Sequence, residues 1–169
     1  MKANDILILD TNVIIEAHRT GGLSAICGGF SIHCVEKVIE ETQTGHQKRK
    51  PEFNINENLL RDKFTCIVTI DEDDVEDAME DLEGFETIHA GEQHLISYIA
   101  NSMIQNDNVW FVSSPDSAAM KVMVKAGWKD NIVSLEKAYN IIRFRPQKPL
   151  EDHFKTKWTS ERITFHILN

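Results

Sequence analysis

A chain of 169 residues with 41% hydrophobic side chains is long enough to bury a core and predicts one compact domain, 1–142, followed by a C-terminal extension, 143–169. Its formal net charge of -9 excludes a broad non-specific nucleic-acid surface, which needs clustered Lys and Arg, and leaves room only for a local basic patch. Cys27, Cys34 and Cys66, odd in number and without C-x-x-C spacing, exclude a disulfide framework and point to a reducing, cytoplasmic setting; no apolar run reaches membrane-spanning length, so no membrane partner is expected.

In chain order, Ile6-Leu7-Ile8-Leu9 is too short for a helix and predicts a strand buried on both faces of a parallel sheet, with Asp10 at its carboxyl end. That edge is where open α/β sheets bind ligands, and the competing role for Asp10 is to cap the helix that follows, Val13 to His18. Thr11 and Asn12 can cap it too, and Asn12 can fix a neighbouring carboxylate. Leu23 to Gly29 predicts a short helix, Phe30 to Cys34 a second strand, and Val35 to Thr42 a helix with Val35, Val38, Ile39 and Thr42 on one face. Glu41 lies near the edge of that face and Glu40 nearly opposite, which favours Glu41 as the inward acid while the two adjacent glutamates still compete for the position. Gln43 to Lys63 has no periodicity and reads as loop; its basic run His46-Gln47-Lys48-Arg49-Lys50 is either solvated or in contact with phosphate.

Phe64 to Ile70 predicts a third strand. The acids from Asp71 to Glu86, threaded by Val75, Ala78, Met79 and Leu82 at helical spacing, read as the wet face of an amphipathic helix and lack the ligand positions of an EF-hand. From Ile88 to about Met103 a helix carries Leu95, Ile96, Ile99 and Met103 on one face, with Glu92 near the middle of it. A carboxylate on a core-facing stripe is costly unless something neutralises it. Asn108 to Ser113 predicts a strand with Trp110 and Phe111 in the core, then Ser114 as N-cap, Pro115 as first helical residue and Gly127 as helix end, which leaves Asp116 a second acid at a strand's carboxyl end. Ile132 to Leu135 predicts the last sheet strand and Glu136 to Ile142 a short helix. The more basic tail (Arg143, Arg145, Lys148, Lys155, Lys157, Arg162) ends in alternating Ile163, Phe165 and Ile167, which predicts a strand packed on the domain or on a second subunit. Strands alternating with helices specify an α/β fold, a three-layer α/β/α sandwich around a central, mostly parallel sheet.

In such a sheet Asp10, Glu41, Glu92 and Asp116 can converge at one end. Four carboxylates roughly 5 Å apart repel by about 3 kcal/mol per pair at an effective dielectric near 20, and on the order of 10–20 kcal/mol together, as much as a domain's whole stability. Such a cluster needs a divalent cation or some of its protons back, and oxygen-only ligation favours Mg²⁺ or Mn²⁺ over zinc. A metal held this way activates water and neutralises a scissile phosphate, so phosphodiester hydrolysis is the reaction the site suits best. His33, His89 and His94 form no spaced metal pair, and no Ser or Cys nucleophile with a His base, nor a phosphate-cradling Gly-rich loop, is apparent.

Leu9-Asp10-Thr11-Asn12-Val13-Ile14, Val38-Ile39-Glu40-Glu41, Gly91-Glu92, Ser113-Ser114-Pro115-Asp116 with Ala118-Ala119 and Gly127, and Val133-Ser134-Leu135 follow one another in an order that resembles the PIN-domain family of metal-dependent nucleases, which includes the VapC-like ribonuclease toxins. The resemblance implies a Mg²⁺ or Mn²⁺ site made by Asp10, Glu41, Glu92 and Asp116, with Asn12 or Ser114 as supporting polar groups, and single-stranded RNA as substrate. It also implies a homodimer and, for a toxin, a protein antitoxin as partner; the typical toxin lacks the extension. The alternative is a catalytically silent PIN-like module that binds RNA or a protein, and the four acids favour the enzyme because a silent site has no need to bear their repulsion. A phosphatase of the haloacid dehalogenase type fits poorly, since Asn12 stands where a second Asp is required.

Overall fold

The computed structural model describes residues 1–44, 50–104 and 109–169, so His46, Gln47, Lys48 and Arg49 of the basic run lie outside the described residues. In chain order the elements are β1 (Ile6–Leu9), α1 (Thr11–Arg19), α2 (Leu23–Gly29), β2 (Ser31–Val35), α3 (Glu36–Gln43), α4 (Glu57–Lys63), β3 (Cys66–Val68), α5 (Glu72–Asp81), α6 (Ala90–Tyr98), β4 (Trp110–Ser113), α7 (Ser117–Lys125), α8 (Leu135–Ile141) and α9 (Thr156–Leu168). The strands form one all-parallel sheet in the order β3-β2-β1-β4. β1 is central, with Ile6 opposite Ser31 on one side and Trp110 on the other, and Leu7, Ile8 and Leu9 are completely buried. Its continuous aliphatic run is what a strand covered on both faces requires.

The chain leaves β1 towards β2, whereas after β4 it continues outward, where Ile132 bridges Val112 on that strand's far side. Connections that depart in opposite directions open a crevice between β1 and β4 at their carboxyl ends. Helices flank this sheet, an arrangement compatible with the three-layer sandwich. Among the described residues no helix is long and apolar enough to cross a membrane, and all three cysteines are free.

Several elements differ from expectation. The stretch 43–63 is not all loop: Pro51–Phe53 makes a helical turn, and Asn56 caps α4 by accepting the Asn58 N–H at 2.9 Å. α4 buries only Leu60, too little for a periodic stripe to register. The helix expected over 88–103 starts at Ala90 and widens into a π-helical turn at Ile99–Met103. Ile132 to Leu135 contributes one bridge rather than a strand, because Ser134 accepts the Lys137 N–H and starts α8. The largest correction is the tail: Ile163, Phe165 and Ile167 belong to helix α9, which packs on α7. Their alternation did not mark a two-faced strand, since Phe165 and Ile167 are half exposed and the Arg162 guanidinium lies over the Trp158 and Phe165 rings.

The segment leading to α9 is strapped across α1 by a buried ion pair. Glu16 is 2% exposed and receives the Nε and Nη2 of Arg19, each at 2.6 Å. Arg19 Nη2 also donates to the Pro149 carbonyl at 2.7 Å, and the Glu151 N–H donates to Glu16 at 3.0 Å. Leu150 and Phe154 bury their side chains alongside. Removing one partner of such a pair strands a charge, so Glu16→Ala is expected to cost about 3–5 kcal/mol in urea unfolding and to expose 143–155 to earlier proteolysis. An unchanged midpoint would show that the apolar contacts alone hold the extension.

Candidate functional site

Asp10 and Asp116 end neighbouring strands on either side of the crevice. Asp10 occupies the N-cap position of α1, yet its side chain makes no capping hydrogen bond and accepts one instead from the Ser114 hydroxyl at 3.0 Å. The carboxylate that could have served the helix thus faces the crevice. Asp116 does cap: its Oδ1 accepts the Ala119 N–H at 2.8 Å, and its own N–H donates to Ser114 Oγ at 3.2 Å. Ser114 was expected as the cap and Pro115 as the first helical residue, but α7 begins at Ser117 because the Ser114 hydroxyl is engaged between the two aspartates.

Helices α3 and α6 bring the other two acids. Glu41 accepts the Thr11 hydroxyl at 2.7 Å, while Glu40 is exposed and pairs with Lys37 at 3.1 Å, so Glu41 is the inward member. A Cβ at position 91 would collide with the Glu41 carboxylate, and glycine there lets α6 approach closely enough to set Glu92 beside it. Glu92 is buried, as its place on the apolar stripe of α6 demanded, and among the described residues its Oε2 has no hydrogen-bond partner.

These acids act on one another. Burial, then the charge of Glu92 and more weakly that of Glu41, pushes the Asp10 carboxyl up to about 7, although the Ser114 hydroxyl and the Thr11 backbone N–H favour its charged form. Glu92 is also raised, first by burial and then by Asp116 and Glu41, against the opposing effect of its own backbone N–H and His89. At neutral pH the group must share a proton or attract a cation. Among the described residues no three His, Cys, Asp or Glu side chains stand close enough to grip an ion. Mg²⁺ keeps several waters and takes one or two carboxylates directly, so an all-oxygen donor set with one orphaned buried oxygen fits that class of ion.

Of the supporting groups expected, Ser114 holds Asp10, whereas Asn12 is exposed and lines a different groove with Phe53 and His153. His33 is taken by the Tyr98 hydroxyl at 2.7 Å. Two residues of the site were missed in this role: Thr11, whose position after Asp10 suggested only a cap, and Gly91, whose neighbour Glu92 was its one signal. Together these features define an α/β protein with an acid-lined crevice at the switch point of a parallel sheet. Compared with known proteins, the chain matches no family model and no curated sequence.

The raised Asp10 makes stability depend on pH with a definite sign. Between its ordinary value of 3.8 and about 7 the folded chain keeps a proton that the unfolded chain has released, so stability without metal falls as pH rises through that window. Asp10→Asn is expected to abolish most of that slope and to melt higher than wild type at pH 8 in chelator, with an upper limit on the order of 4 kcal/mol. Parallel stability profiles of the two proteins from pH 4 to 8 would refute the burial argument.

Proposed function

We propose that the chain is a PIN-like, Mg²⁺- or Mn²⁺-dependent endoribonuclease that hydrolyses phosphodiester bonds of single-stranded RNA. The observation that carries this reading is Glu92, a buried carboxylate whose Oε2 has no partner among the described residues, in the field of Asp116 and Glu41 and beside an Asp10 that Glu92 itself pushes up. Such an arrangement costs stability in the free protein and is relieved by a divalent ion.

In this reading Asp10 and Glu92 hold the ion, with Asp116 and Glu41 at its margin. When bound, the ion supplies an activated water and neutralises the scissile phosphate. Ser114 and Thr11 keep Asp10 and Glu41 oriented through their hydroxyls. The reading extends to a toxin whose protein antitoxin covers the crevice, and to a homodimer, for which the exposed Phe165, Ile167 and Leu168 of α9 offer apolar surface. A silent RNA-binding module is the second reading, and the lack of a closed three-acid grip among the described residues favours it.

Cleavage of single-stranded RNA with Mg²⁺ or Mn²⁺ is expected to stop in chelator and to fall at least ~10²-fold in Asp10→Asn and in Glu92→Gln. Gly91→Ala should reduce it as well by displacing Glu41. Cleavage that survives chelator and both acid substitutions overturns the enzyme; RNA binding without cleavage supports the silent module. Light scattering at micromolar concentration should return a dimer mass, and a monomer would remove that part of the proposal.

A further inference from the structure

A second concavity, of about 240 Å³, shares the first turn of α1 with the acid crevice. Successive residues of a helix point about 100° apart, so Thr11 reaches Glu41 while Asn12, with Ile15 one turn on, lines this groove. Phe53 forms another wall, and the extension closes it with Glu151, His153 and Phe154. The strap that ties the Glu151 backbone to Glu16 places this wall, so the groove exists only because the extension crosses α1.

The lining chemistry is selective. Phe53 and His153 present flat rings, and His153 leans on Phe154 with ring centroids 4.2 Å apart. Glu16, at the floor, is neutralised by Arg19. Glu151 is held more loosely: its side chain is 54% exposed and its carboxylate stands 3.8 Å from His153 Nε2, an ion pair only when that ring is protonated and too long for a hydrogen bond. The groove therefore offers aromatic surface, a carboxylate able to accept two N–H groups side by side, and the exposed Asn12 amide, which donates and accepts. A carboxylate repels phosphate, and the volume is below that of pockets for drug-sized ligands, so the occupant is one flat heterocyclic base with N–H donors on one edge. Among nucleobases, guanine presents an imino and an amino N–H next to each other with a carbonyl beyond them for the Asn12 amide; adenine, cytosine and uracil offer a carboxylate fewer donors.

We infer that this groove is a base pocket that holds one guanine of the RNA strand beside the crevice, with Glu151 and Asn12 reading its edge and Phe53 and His153 packing its faces. The inference rests on the ribonuclease reading above. It is tested on the full chain in chelator, where cleavage plays no part, by calorimetric titration with the 5′-monophosphates of guanosine, adenosine, cytidine and uridine. The guanosine nucleotide is expected to bind at least tenfold more tightly than the other three. Glu151→Gln should weaken it at least tenfold with an unchanged melting temperature, since the side chain is half exposed, and Phe53→Ala should weaken all four. Equal binding of the four, binding of none, or indifference to Glu151→Gln overturns the pocket. Guanine-selective binding in a protein that cleaves no RNA would leave the pocket standing and sink only the enzyme.

Discussion

The carboxylate of Asp10, sealed under the sheet edge with a Ser114 hydroxyl on one side and the charge of Glu92 on the other, is the constraint that the crevice is built around. Because the last three residues of β1 are completely buried, whatever follows them is delivered to the interior, and Asp10 is itself only 1% exposed. Its neighbours are arranged accordingly: Thr11 turns to Glu41, Ser114 sits between two aspartates, and Gly91 removes the side chain that would keep α6 away. Each small polar residue relieves a little of the repulsion and none removes it, which leaves a site poised for a proton or a cation.

The same chemistry is harmless elsewhere on this chain. The acids of α5 are mostly exposed, where water screens them, and Asp71 contributes a cap to the Asp74 N–H at 3.0 Å. Other carboxylates are paired with a base, as Glu36 and Glu57 are with Arg61. The overall negative charge thus says little about the crevice. What separates Glu92 from Glu72 or Glu76 is burial, with an Oε2 that has no partner among the described residues.

The extension gives the molecule a second layer of construction. α9 packs on α7, the helix that Asp116 caps, and the strap through Glu16 and Arg19 binds the preceding segment to α1, the helix that follows Asp10. Both helices that leave the crevice are therefore buttressed by the last part of the chain.

The strand of four aliphatics, the inward bias of Glu41, and the cost of Glu92 on an apolar face were all legible from the residues, because each depends on local periodicity and on the price of burying charge. The helical tail was not, since a few alternating apolar residues fit either period when no partner surface is known, and the packing of α9 on α7 settled it. Nor could the residues alone say whether Asp10 and Asp116 cap their helices: the side chain of one does and that of the other does not, according to where the Ser114 hydroxyl points. Local pattern was enough to mark which carboxylates would be costly to bury and at which ends of which elements they would lie. That these acids feel one another's charge, that Gly91 makes room for Glu41, and that the extension walls a groove beside them came from packing alone, because distances between residues far apart in the chain are set by sheet order and helix packing rather than by any local pattern.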